Sequence, residues 1–235
     1  MIDIEEAKRI LAAFEREGVE YVMVGSMAMA AQGLVRATRD VDFFVASTTG
    51  NVANLRRALK SLYDNDPNVE EIRAEDLSGA YPAIEYIPPH GAYSLDILSR
   101  LGEAFRYETM ESEELILDGI RVRVATPAVL YRMKKDTVRP QDRVDAQNLR
   151  RAELAPCLQP RGQVMGVRKF RSVEDMPGPA PLPRLDPENL RIAFGLSSLA
   201  SGLRPVRRTP GVRKFGSWNE ALAAKEESET ASRRP

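Results

Sequence analysis

The sequence predicts an α+β fold, a small, largely antiparallel or mixed sheet flanked by helices, followed by a Pro/Arg-rich C-terminal tail. Three observations carry this. Amphipathic helical segments alternate with short apolar strands over the first 150 residues. Two strand pairs are joined by turn signals, so hairpins are present and a purely parallel doubly wound sheet is excluded. After residue 155 the texture changes to Pro, Gly and Arg.

Taken in order, Ile4, Ala7, Ile10, Leu11 and Phe14 recur at helical spacing over 4–17, and Gly18 stops the helix. Residues 21–24 form a short buried strand ending at Gly25. Ser26 is placed to cap a small-residue helix over 27–32, closed by Gly33. A second strand covers 42–46, with Arg39-Asp40-Val41-Asp42 opening it, and a helix spans 51–63. Strands 84–87 and 93–98 flank Pro88-Pro89-His90-Gly91, and strands 114–117 and 120–124 meet at Asp118-Gly119. Helices follow over 127–136 and 140–153, the second with Pro140 at its first turn.

The chain has 235 residues, enough for one good core and a second small unit. Hydrophobic residues at 43% and charged ones at 29% describe a water-soluble composition, with no apolar run of about 20 residues and no signal-peptide layout, so a cytoplasmic location without membrane contact is expected. The single cysteine, Cys157, forbids an internal disulfide or a cysteine zinc cage. Zero net charge hides a split: residues 1–155 hold 26 acidic and 20 basic side chains, net −6, and residues 156–235 hold 8 and 14, net +6. The tail is therefore expected either to lie on the front part or to seek a polyanion such as RNA.

Residues 156–186 read as a linker or extended arm. The motif Gly166-Val167-Arg168-Lys169-Phe170 recurs 45 residues later as Gly211-Val212-Arg213-Lys214-Phe215. We read the copies as two small docking elements, each a basic turn with one Phe anchor. Between them, 187–203 predicts a helix with Leu190, Phe194 and Leu196 to Leu199 as its apolar face.

The chemistry concentrates in Gly25-Ser26 and Asp40-Val41-Asp42. In an extended strand Asp40 and Asp42 share a face about 6.6 Å apart. At an effective dielectric near 20 they repel by roughly 2–3 kcal/mol, and a divalent cation, Mg²⁺ first, relieves that. Asp96 sits in the middle of the apolar strand Tyr93-Ser94-Leu95-Asp96-Ile97-Leu98, where an unpaired acid is costly. Taken singly, each has a plainer reading: Gly-Ser as a turn, the acids as partners of Arg36, Arg39 or Arg100. Asp142 and Asp145, three apart on a helix, are equally well explained as a solvated face beside Arg139, Arg143 and Arg150. His90, in its Pro-Gly turn, is assigned no metal or base role, and Trp218 is read as a packing anchor.

Together, Gly25-Ser26, the thirteen residues from Met27 to Arg39, Asp40-Val41-Asp42 and the later Asp96 resemble the nucleotidyltransferase fold of the DNA polymerase β type. Met133-Lys134 and Arg139-Pro140-Gln141-Asp142 are similar to segments of minimal bacterial nucleotidyltransferases of the AbiEii toxin type and their relatives. The resemblance covers roughly residues 1–153 and implies a nucleotidyltransferase domain over 1–155. The tail, 156–235, looks like small proteins encoded beside such enzymes, which implies an antitoxin-like or autoinhibitory role, with Met165 where a separate chain would begin. The resemblance further implies Mg²⁺ (two ions, or Mn²⁺) on Asp40, Asp42 and Asp96. Triphosphate binding then falls to Gly25, Ser26, Arg39 and either Lys134 or Lys135. The implied reaction moves a nucleoside monophosphate from an NTP to RNA, tRNA above all, or to protein, as the toxin of a toxin–antitoxin pair. The alternatives are a transferase acting on an aminoglycoside or lincosamide, and a catalytically idle module bound by its own tail or a cognate antitoxin.

Overall fold

A seven-stranded mixed sheet with flanking helices organises the protein. The computed structural model describes residues 2–79, 82–89, 93–137, 139–154, 182–203 and 208–231. Chain order is α1 (Ile4–Arg16), β1 (Tyr21–Val24), α2 (Gly25–Ala31), β2 (Asp40–Val45), α3 (Thr49–Leu62), α4 (Ala74–Ser78), β3 (Ala83–Ile87) and β4 (Ser94–Leu98). The short strands β5 (Arg100–Leu101) and β6 (Phe105–Arg106) follow, then β7 (Ser112–Leu117), β8 (Ile120–Ala125), α5 (Pro127–Lys134), α6 (Pro140–Leu154), α7 (Pro187–Leu203), β9 (Gly211–Phe215) and α8 (Trp218–Ala231). The sheet order is β7-β8-β1-β2-β4-β3-β9, and β5 with β6 forms a separate ribbon.

Local chemistry explains the boundaries. Asp3, Thr48 and Thr126 accept hydrogen bonds from Glu6, Asn51 and Val129 backbone N–H groups and so cap α1, α3 and α5. Asp118 and Gly119 both take positive φ, +51° and +86°, as the two-residue turn between β7 and β8 requires. Both predicted hairpins are present as antiparallel pairs, β3 with β4 and β7 with β8. The strand β2 pairs antiparallel with β1 on one side and parallel with β4 on the other.

Alternation along β2 then separates core from site. Phe43 packs edge-on against Phe14 of α1 and Tyr21 of β1, with ring centroids 5.0 and 5.4 Å away, each contact contributing about 0.5–1.5 kcal/mol beyond its buried area. Asp40 and Asp42 point to the opposite face.

Four expectations need correction. Ser26 does not cap α2: the helix begins at Gly25, with Val24 in the cap position and no side-chain cap bond, because the chain leaves β1 without an intervening turn. Strand β2 begins at Asp40 rather than Asp42, since parallel pairing with Ser94 extends it. The second GVRKF copy is an edge strand, not a turn; it pairs antiparallel with β3, and Phe215 is buried as its anchor. In α7 the buried stripe is Leu190, Ala193, Phe194, Ser197 and Ser201, leaving Leu196 and Leu199 exposed, because small residues let α7 lie against α2. The first GVRKF copy, residues 156–181 of the expected linker over 156–186, Cys157, Met165 and His90 lie outside the described residues. Among the described residues, no helix is long and apolar enough to cross a membrane.

Candidate active site

The parallel β2–β4 pairing sets Asp40 beside Ser94 and Asp42 beside Asp96. Next in the row come Glu85 on β3, opposite Asp96, and Arg213 on β9, opposite Glu85. One face of four neighbouring strands thus carries Asp42, Asp96, Glu85 and Arg213 in register, with Asp40 one pleat away.

Gly25 lies tight against this row. Its φ is +64°, and a β-carbon there would fall 2.0 Å from Asp42 Oδ2, so only glycine lets the β1–α2 junction approach the carboxylate. Asp40 accepts from the Thr38 hydroxyl at 2.6 Å through Oδ1 and from Lys225 Nζ at 2.6 Å through Oδ2. Lys225 Nζ also donates to Asp96 Oδ2. Lys225 comes from α8, and its side chain is only 8% exposed.

These contacts divide the acids electrostatically. Burial works to raise the Asp40 pKa, but the Lys225 ammonium and the Thr38 hydroxyl outweigh it and hold the group well below the usual carboxylate range. Asp42 is pushed well above that range by burial and by the charges of Asp40 and Asp96. Asp96 rises to about 6, chiefly through burial, with Lys225 opposing. Burial works against the Lys225 charge, yet the three aspartates raise its pKa well above the usual lysine value.

A cavity of about 340 Å³ opens in front of the row. Its polar lining includes Gly25, Ser26, Arg39, Asp40, Asp42 and Lys225 together with Lys134, Arg139, Gln141 and Asp142. Leu98, Leu101, Leu130, Met133, Trp218 and Leu222 supply an apolar lining. Lys134 Nζ bonds Asp142 Oδ1 at 2.7 Å and Asp145 Oδ2 at 2.9 Å. Lys135 is not among the lining residues and pairs with exposed Asp136 at 3.0 Å. Asp142 and Asp145 are buried, which corrects the reading of a solvated face: Lys134, Arg36, Thr137 and Gln141 satisfy them from within. Of the arginines available to the aspartate pair, Arg36 bonds Asp145 at 3.3 Å and Arg100 the Gly79 carbonyl at 3.0 Å.

The sequence reading missed Glu85, Arg208 and Lys225. Glu85 is an acid in the otherwise apolar strand Ala83-Ile84-Glu85-Tyr86-Ile87, the same signal that exposed Asp96. Arg208 Nη1 donates to Glu85 Oε1 at 2.9 Å and to Ser94 Oγ at 2.5 Å, and Arg213 pairs with the other Glu85 oxygen.

As the structure stands, no group of three or more acidic, His or Cys side chains among the described residues has the geometry of a metal site. The place between Asp40 and Asp96 is taken by the Lys225 ammonium. The donors nonetheless suit a hard divalent cation: they are carboxylate oxygens, and buried Asp96 Oδ1 has no hydrogen-bond partner among the described residues.

No family model matches the chain, and no curated protein does either. Among solved structures it is similar to ANT(2")-Ia in complex with adenylyl-2"-tobramycin, with a TM-score of 0.37 and 15% identity, over 63% of this chain and 87% of that one. That likeness is slight, and the reading of the site rests on the geometry above.

Proposed function

We propose that the protein is a divalent-cation-dependent nucleotidyltransferase, which moves a nucleoside monophosphate from an NTP to an acceptor hydroxyl and releases pyrophosphate. The carrying observation is the convergence of Asp40, Asp42 and Asp96 on one face of β2 and β4, with Gly25 tight against Asp42, and with Asp40 and Asp42 at the wall of a cavity that also holds cationic side chains. Asp40, Asp42 and Asp96 would hold Mg²⁺, or Mn²⁺, which when bound neutralises triphosphate charge and acidifies the acceptor hydroxyl.

The chain's own groups do the rest. Ser26, Arg39, Arg139 and Lys134 line the space for the triphosphate. Lys134 is fixed by Asp142 and Asp145, so it offers a positioned charge rather than a mobile one. Asp96 Oδ1 is free of other bonds among the described residues and so is placed to take the acceptor proton. The apolar lining around Met133, Leu101 and Trp218 excludes water and offers surface to a base or sugar.

The acceptor we favour is RNA, tRNA above all, or a protein hydroxyl, with the chain acting as a toxin-type enzyme restrained by its partner or tail. The resemblance supports this, as does a basic tail docked on the acidic row. The test is calorimetry of each NTP with and without saturating Mg²⁺, followed by mass spectrometry of total RNA, protein and an aminoglycoside and lincosamide panel. Mg²⁺-dependent NTP binding that disappears in Asp40→Asn, and a monophosphate adduct on RNA or protein, are expected. NTP binding indifferent to both Mg²⁺ and Asp40 would overturn the transferase reading; an adduct on a drug alone would move the acceptor to small molecules.

A further inference from the structure

We propose that α8 is a built-in competitor for the divalent cation, with the Lys225 ammonium seated where the ion belongs, so that the structure is the inhibited form of the enzyme. This rests on the nucleotidyltransferase reading and adds its regulation. Lys225 Nζ bonds one oxygen of Asp40 and one of Asp96, the two acids that flank the ion's place. A single positive charge among three aspartates, Asp42 and Asp96 buried and Asp40 partly so, is an incomplete substitute: one ammonium faces three carboxylates, and Asp96 Oδ1 is left unbonded among the described residues. A divalent ion brings twice the charge and takes more oxygens, so it can displace the lysine.

The rest of the tail delivers Lys225 and holds it lightly. Strand β9 adds to the edge of β3 in a fixed register from Gly211 opposite Ile87 to Phe215 opposite Ala83, while Arg208 and Arg213 both bind Glu85 at the end of the acidic row. Lys214 bonds Asp76 at 2.5 Å. After Gly216, Ser217 accepts from the Glu220 N–H, and Glu220 reaches back to the Gly216 N–H, which starts α8 with reciprocal caps. One face of α8, carrying Ala221, Leu222 and Lys225, is buried, and Trp218 and Leu222 line the cavity beside it. Few apolar side chains therefore hold α8 down, whereas β9 is anchored by its ladder and by Phe215. The joint at Gly216 lets the helix leave while the strand stays.

A different role for Lys225, gripping the triphosphate in the active state, makes the opposite prediction, and titration of the full-length chain with Mn²⁺ separates the two. If the lysine is docked in nine-tenths or more of the molecules, its removal in Lys225→Ala should tighten Mn²⁺ binding about ten-fold or more. Lys225→Arg, which keeps a cation, should stay close to the wild type. In the wild-type chain, saturating Mn²⁺ should speed amide hydrogen exchange in 218–231 and leave 211–215 protected, a readout that needs no variant to fold. Unchanged or weaker Mn²⁺ binding by Lys225→Ala, or an α8 equally protected with and without Mn²⁺, overturns the proposal. Tighter Mn²⁺ binding in Lys225→Ala without transfer from any NTP would uphold the competitor and sink the transferase reading. Transfer by the wild type that Lys225→Ala does not accelerate would do the reverse.

Discussion

Two lysines line the cavity, each among aspartates, and they differ in how completely the charges are matched. Lys134 binds Asp142 and Asp145, and each aspartate oxygen there has a named partner: Lys134 and Thr137 on Asp142, and Gln141, Lys134 and Arg36 on Asp145. Lys225 binds Asp40 and Asp96, but one ammonium serves three carboxylates: burial and the charges of Asp40 and Asp96 push Asp42 up against the opposing pull of Lys225, and Asp96 keeps an unbonded oxygen among the described residues. The first cluster is a closed structural network, built mainly from α5, α6 and the turn between them, with Arg36 joining from the α2–β2 connection. The second is open, and its lysine comes from a helix 185 residues away from Asp40. Equal residue chemistry thus serves two ends, and charge balance tells them apart.

The largest effect that could break this contrast is expected at Asp42. Asp42→Asn should lower monophosphate transfer by about 10³-fold, some 4 kcal/mol in the transition state, through loss of a cation ligand. It should raise stability at pH 7 in metal-free buffer by about 2 kcal/mol, because the wild-type fold must either carry that repelling charge or hold the acid protonated there. The sign follows from the raised pKa: the folded state favours the protonated acid, so that stability is present at low pH and is lost as pH rises through the folded value. Thermal melts across pH, with and without Mg²⁺, check it; a destabilised Asp42→Asn would put Asp42 in the closed class.

Asp145→Asn should behave oppositely, costing about 3 kcal/mol of stability by leaving Lys134 and Arg36 with less neutralisation. Burial works to raise Asp145, but Lys134 and Arg36 outweigh it and lower its pKa. Its stabilisation is therefore full above the ordinary aspartate value near 3.9 and is lost as pH falls through the lowered one, so the gap between variant and wild type should close in acid. Denaturant midpoints between pH 3 and pH 7 measure this.

Much of the open cluster was readable because its signals are local. Two aspartates two apart in a strand must share a face, and an acid inside the apolar run 93–98 must find a partner. Glu85 carried the same signal and went unused. What the sequence did not show was pairing at long range: that β4 lies parallel to β2, that β9 closes the sheet edge, and that Lys225 reaches Asp96 from 129 residues away. The stretch Ala221-Leu222-Ala223-Ala224-Lys225 is too weakly patterned to announce which face is buried. In α7 the buried positions Ser197 and Ser201 are polar and the exposed Leu196 and Leu199 apolar, so hydrophobicity pointed to the wrong stripe. The −6 and +6 halves left open whether the tail meets the front part or a polyanion, and did not say which groups meet.

Gly25→Ala sharpens the comparison from the backbone side. Its left-handed φ alone costs about 1–2 kcal/mol with a side chain present, and the added carbon collides with Asp42 Oδ2. Stability should drop by that amount, and Mn²⁺ affinity should fall as Asp42 is displaced, an effect calorimetry can read; retained affinity would show that the acid does not depend on this close approach.

The smallest effect is expected where the sequence left a choice. Lys134 and Lys135 are adjacent, and nothing in the residues themselves says which faces the triphosphate. The end of α5 decides: Lys134 is the last helical residue and turns inward to buried aspartates, whereas Lys135 caps the helix and pairs in the open with Asp136. Lys135→Ala should leave stability within about 0.5 kcal/mol of wild type, as expected of a surface pair, and should not change NTP affinity. Lys134→Ala should weaken both, because it removes a charge from the cavity wall and strands two buried carboxylates. A loss of NTP affinity in Lys135→Ala alone would mean that the triphosphate approaches over the outer edge of α5, and the closed cluster would then be scaffold without any part in the site.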